Sequence, residues 1–132
     1  MKPSYVPTNE KEWLDPEDPD IWAAYSAAGE NFEVLEKRYT KRNAWELAAS
    51  LRSGIAGLNR YRGWEHEVEM LTDVLFHLID VIVGDVGQYE YRNFHPDRSV
   101  WFPDMKSKLN EVADEMWKRD RYRLEVEKGR AV

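Results

Sequence analysis

The residues of this chain best suited to chemistry lie on one stretch, WEHEVEMLTDVLFHLIDVIV, from Trp64 to Val83. Placed on a helix at about 100° per residue, His66, Glu69, Asp73, His77 and Asp80 share one arc of roughly 80°. Val68, Leu71, Val74, Leu75, Leu78, Ile79, Ile82 and Val83 take most of the remaining circumference. Glu69, Asp73, His77 and Asp80 are the candidate metal ligands, since carboxylates with imidazole suit Mg²⁺, Mn²⁺, Fe or Zn²⁺ according to geometry. One helix supplies too few ligands by itself, so a second helix must contribute. His66 and His77 stand about three turns apart and cannot share one ion. The stripe has two other readings: a solvated outer face, or carboxylates paired with Arg and Lys from neighbouring helices. Burial without a partner costs several kcal/mol per carboxylate, roughly, and is not an option. No Gly-rich phosphate loop, GxSxG, Cys–His or Ser/His/Asp arrangement is present, so no catalytic residue is nominated.

The elements that must position this stripe follow from hydrophobic periodicity. Pro3, Pro7 and Pro16 among polar residues make 1–18 an extended, acidic arm, with Trp13 and Leu14 as its anchors. Asp18-Pro19 is a helix start, an acid at the cap and proline in the first turn. Ile21, Tyr25, Ala28, Phe32, Leu35 and Tyr39 then keep helical spacing to about 39, with Gly29 a point of bending. A second helix, about 42–58, places Ala44, Ala48, Leu51, Ile55 and Leu58 on one face, and Ala48, Gly54 and Gly57 allow close approach of a neighbour. The third spans 64–83, and Gly84-Asp85-Val86-Gly87 reads as its stop. Residues 88–102 read as an irregular, aromatic-rich loop in which Tyr89 and Tyr91 allow a short strand. Pro103 opens the last helix, to about 127, with Met105, Leu109, Val112 and Met116 inward. Tyr122, Leu124 and Val126 alternate, a pattern that also fits a strand. The expected fold is all-α: a four-helix up-and-down bundle around the third helix, forming one domain over 19–132 behind the arm.

Composition narrows the class. At 132 residues, 42% hydrophobic and 33% charged, the chain suits one globular domain. It has no cysteine, which removes disulfides and thiolate chemistry and fits a reducing compartment. With no apolar signal core at the N-terminus and no uninterrupted span, the expected location is cytoplasmic, away from membranes. The net charge of −6 disfavours nucleic acid as a partner, yet the charge is segregated. From residue 37 to 62, Lys37, Arg38, Lys41, Arg42, Arg52, Arg60 and Arg62 stand against Glu46 alone, while Glu10, Glu12, Asp15, Glu17, Asp18 and Asp20 against Lys11 make the arm and the first helix turn acidic. Six tryptophans is a high count for this length and points to core or to a binding surface.

Glu69-Met-Leu-Thr-Asp73-Val-Leu-Phe-His-Leu-Ile-Asp80 resembles the second motif of MazG-like all-α nucleotide pyrophosphohydrolases, and Glu46-Leu-Ala-Ala resembles half of their first. The resemblance covers residues 45–83 at most. It implies a helical fold, Mg²⁺, and hydrolysis of nucleoside triphosphates, with Glu46 and Asp73 at ligand positions. Ala49 and Met70 stand where that family has its other two acidic ligands. His95-Pro96-Asp97 matches the tripeptide of J-domain co-chaperones, but it follows a glycine break and reads as turn chemistry.

The expected function is therefore a non-catalytic helical interaction protein: an adaptor, inhibitor or component of a larger assembly. Its partner is another protein or a second copy, and it needs no cofactor. Trp13, Asp15, Glu17 and Asp18 of the arm and Arg38, Arg42, Arg60 and Arg62 of the basic pair are the candidate partner-binding residues, an acidic arm latching onto a neighbour's basic segment. The alternative is a degenerate MazG-like hydrolase, the only reading that calls for Mg²⁺. A third is nucleic-acid binding through residues 37–62.

Overall fold

In a computed structural model the structure describes residues 7, 10–38, 40–88 and 98–130. The fold is all-α. Helix α1 (Pro19–Ser26) passes through a π-helical turn (Ala27–Asn31) into α2 (Phe32–Lys37), and α3 (Lys41–Asn59), α4 (Glu65–Gln88) and α5 (Arg98–Arg130) follow. Helix α3 packs against α1 and α4, α4 also packs against α5, and the π-turn touches α3 and α5. These contacts make a four-helix bundle in which the bent α1–α2 unit serves as the first helix.

The stripes meet as their spacing requires. Ile21, Phe32, Leu35, Leu47, Leu51, Leu58, Leu71, Leu78, Ile82, Leu109 and Met116 are almost wholly buried, with Trp64 as the largest enclosed side chain. Asp18 caps α1 by accepting from the Asp20 amide, and Thr40 caps α3 by accepting from the Asn43 amide. The expected bend near Gly29 is the π-turn, where Asn31 Nδ2 donates to Ser50 Oγ of α3.

Several expected boundaries move. Gly84 and Gly87 do not stop α4, which runs to Gln88. A glycine ends a helix by turning left-handed, and among the described residues Gly63 alone has positive φ, at 91°. Pro103 does not open the last helix but lies inside it, because α5 starts at Arg98. An interior proline costs about 3 kcal/mol by removing one amide donor, a loss the rest of a 33-residue helix carries. Residues 98–102 and 88, expected in the loop, are helical. Tyr89, Tyr91 and the His95–Asp97 tripeptide lie outside the described residues. Residues 122–126 are helical, and no strand occurs among the described residues. None of the helices, as far as described, is long and apolar enough to cross a membrane.

Helices α1 and α3 touch at Gly54 and Gly57. A Cβ on Gly54 would sit 2.8 Å from Ala24 Cα, and one on Gly57 would sit 2.7 Å from Asp20 Cβ. Gly54→Ala is expected to cost about 1–3 kcal/mol through overpacking against backbone. Gly29→Ala, with nothing within 4 Å of the new methyl, is expected to gain about 0.5–1 kcal/mol by restricting the unfolded chain. Urea denaturation of the two variants checks the opposite signs.

Candidate functional site

The arm is tied to the bundle by its backbone and by a buried ion cluster. The Glu12 amide donates to the Arg62 carbonyl at 2.8 Å. Trp64 Nε1 donates to the Glu12 carbonyl at 2.9 Å, and Arg119 Nη2 donates to the Lys11 carbonyl at 2.8 Å. The crossing is so close that a Cβ on Gly63 would lie 2.5 Å from the Glu10 carbonyl oxygen. Lys11 Nζ reaches Glu67 at 2.9 Å and Glu115 at 3.2 Å, over the face of the Trp64 ring. Arg119 lies between two indoles, 4.5 Å from the Trp13 centroid and 5.6 Å from that of Trp64. Glu67 and Arg119 are the two buried charged residues among those described.

A second anchor joins the arm to the end of α3. Arg60 bridges Asp18 and Asp20, and Tyr61 Oη donates to Asp18 Oδ2 at 3.0 Å. The Arg60 guanidinium, helped by the Asp20 amide, holds the Asp18 carboxyl below its ordinary 3.8. A depressed folded-state pKa adds stability above the unfolded value and loses it as the pH falls through the folded one. Asp18→Asn is therefore expected to flatten the fall of stability with acid below the ordinary 3.8. Melts across that range, wild type against variant, measure it.

Outside the ion cluster the arm, α1 and α5 enclose an aromatic cleft of ≈ 140 Å³. Leu14, Ile21 and Met116 are its apolar lining, with Trp13, Trp22, Tyr25 and Trp117 around them and Arg119, Asp120 and Arg123 as its charged groups. Trp13, Trp22 and Trp117 keep 46%, 58% and 55% of their surface in solvent. Trp13 stacks on Tyr122 with ring centroids 6.3 Å apart. Trp22 Nε1 donates to the carbonyl of Pro16, itself a lining residue. Burial, reinforced by the Asp120 charge, pushes the Tyr25 phenol up to about 12, so it remains a protonated donor.

The stripe on α4 is elsewhere. His66, Glu69, Asp73, His77 and Asp80 are all exposed. His66 lies 3.2 Å from Glu111, and Lys108 Nζ lies 3.8 Å from Asp73 and 3.1 Å from Asp104. Asp73, His77 and Asp104 thus share a small hollow with an ammonium already in it. Among the described residues no three His, Asp or Glu side chains form a group able to hold an ion. Glu46 is exposed and paired with Arg42 on its own helix, while Asp73 turns to α5. The donor set for Mg²⁺ that the MazG resemblance implies is not assembled by these residues.

The nominated partner-binding residues divide. Trp13 lies on the cleft, Asp18 and Arg60 pair with each other, and Arg42 pairs with Glu46. Asp15, Glu17, Arg38 and Arg62 are exposed. Sequence reasoning missed Trp22 and Trp117, which sit one residue after the core positions Ile21 and Met116 and so point off the stripe. It also missed Glu67 and Arg119. The signal was there: Glu67 falls three after Trp64 and four before Leu71, and Arg119 three after Met116, so each is a charge at a core position.

No family model, no curated protein and no solved structure matches this chain.

Proposed function

We propose that this is a non-catalytic protein-interaction module, an adaptor, inhibitor or assembly component, that docks a partner in the cleft between the arm, α1 and α5. One observation supports the reading above others. Trp13, Trp22 and Trp117, each about half in solvent, surround one apolar cleft. Indoles left in water at one place are the side chains that most often dominate binding energy, because each removes a large apolar area with little rotamer entropy lost. The acidic arm and the basic helix pair, the surfaces first expected to bind, meet within the chain through Asp18, Asp20 and Arg60, so the reading rests on the arm's tryptophan more than on its charge.

A display selection of random peptides on the intact protein, counter-screened on Trp22→Ala/Trp117→Ala, tests it. Recovery of peptides that bind the wild type and lose the double variant supports a docking cleft. Recovery of none, or of peptides that bind both proteins equally, removes it.

A further inference from the structure

We infer a second binding surface, independent of that cleft: the outward face of the α3–α4 pair docks a second copy of this chain, α3 of each copy lying over α4 of the other. The basis is a pattern shared by the two helices. On α3 the outward stripe is Lys41, Trp45, Ala49, Arg52 and Ala56; on α4, read back from its far end, it is Asp80, Phe76, Thr72, Glu69 and Glu65. The intervals are four, four, three and four residues in both, and each stripe stays within an arc of about 80°. Helices α3 and α4 are packed neighbours joined by residues 60–64, hence antiparallel, and residues equally far from the connection share a level. Lys41 is thus level with Asp80, Trp45 with Phe76, and Arg52 with Glu69. One stripe repeats the other with its charges inverted.

None of the described elements covers this face. Helix α1 closes on α3 at Gly54 and Gly57, and α5 closes on α4 at His66 and Asp73. Trp45 keeps 51% of its surface in solvent and Phe76 keeps 62%. Lys41, Arg52, Glu69 and Asp80 have no ion-pair partner among the described residues. The charges beside them are taken, Arg42 by Glu46 and Asp20 by Arg60. Asp20, Ala49, Arg52, Ser53 and Ala56 line an open hollow of ≈ 350 Å³, which leaves room for an approaching helix.

Only a partner carrying both signs at this spacing suits such a face. An acidic protein or a nucleic acid would match α3 and be repelled by α4, and a basic partner the reverse. This chain itself carries the required pattern. A half-turn about an axis in the face, parallel to the helices, sets α3 over α4 of the second copy at an unchanged level. Each Lys41 then meets an Asp80, each Arg52 a Glu69 and each Trp45 a Phe76. Setting α3 on α3 would instead oppose cation to cation. The face is about 28 Å long for the 19 residues of α3 and roughly 20 Å wide, so two copies together bury roughly 1,100 Å², the size of a weak, reversible interface.

Sedimentation velocity of the full chain across about 5–500 µM is expected to move from the 15.6 kDa monomer toward twice that mass. Phe76→Ala should weaken the dimer about tenfold or more. Arg52→Glu alone and Glu69→Arg alone should each do the same, because each sets two like-charge pairs in its own dimer. An equimolar mixture of those two variants should regain the dimer, since every pair across the mixed interface is again of opposite sign. Leu124→Ala, which removes an exposed apolar side chain of α5, should change nothing. Circular dichroism confirms that each variant is folded. A wild type that stays monomeric throughout overturns the inference, as does a dimer indifferent to Phe76→Ala. A mixture no more dimeric than its two components overturns it as well. A dimer abolished by Trp117→Ala and kept by Phe76→Ala would seat the second copy on the cleft and also overturn it.

Discussion

Trp64→Ala is expected to lower the unfolding free energy by about 3–5 kcal/mol, the largest single loss in the molecule. Trp64 is 0% exposed, so the change opens a cavity the size of an indole in a close-packed core. The loss has a second part, because Trp64 is also the peg of the arm. Its N–H holds the Glu12 carbonyl, and both Lys11 and Arg119 lie against its ring. Trp64→Phe restores most of the volume but not the hydrogen bond, so it should recover more than half of the stability while leaving the arm looser. Urea denaturation gives the first quantity and limited proteolysis of residues 10–18 the second. A Trp64→Ala protein within about 1 kcal/mol of wild type would contradict the enclosed position on which both arguments rest.

Lys11→Met is the next largest, at about 3 kcal/mol. Among the described residues Lys11 is the one cation within ion-pair distance of Glu67; it holds Oε2, while the side chain is 5% exposed and Oε1 has no hydrogen-bond partner. Removing the ammonium strands that carboxylate in a region of low polarity, and the cost is the missing hydration of Glu67 more than the lost attraction. Glu67→Leu should cost less, because Lys11 keeps Glu115 at 3.2 Å and a partial path to water. The double variant Lys11→Met/Glu67→Leu should recover about 2 kcal/mol relative to the sum of the single changes, since no buried charge is then left without a counterpart. Strictly additive losses in denaturant would mean that the two groups do not act as a pair.

The legibility of this chain differed by element. The inward residues of the last helix, Met105, Leu109, Val112 and Met116, are all buried, as their spacing requires, and so are Ala44, Ala48, Leu51 and Leu58 of α3. Helix ends were less legible. Gly84 and Gly87 and Pro103 are punctuation in sequence, yet each is worth only a few kcal/mol, and a long helix overrides them. The polar stripe of α4 was visible as a stripe, but its spacing is the same whether it faces water, a lysine or a metal. In the fold it is exposed, meeting Glu111 through His66 and Lys108 through Asp73.

What the amino-acid order determined by itself is the all-α class and the apolar face of each helix, because periodicity is a property of one segment and needs no neighbour. Which charges meet was decided only by the tertiary structure. Lys11 finds Glu67 across 56 residues, Arg119 reaches the Lys11 carbonyl across 108, and Asp18 meets Arg60 across 42. The aromatic cleft has the same origin. Trp13, Trp22 and Trp117 lie on three separate elements, and packing the arm and α1 against α5 is what gathers them around one space.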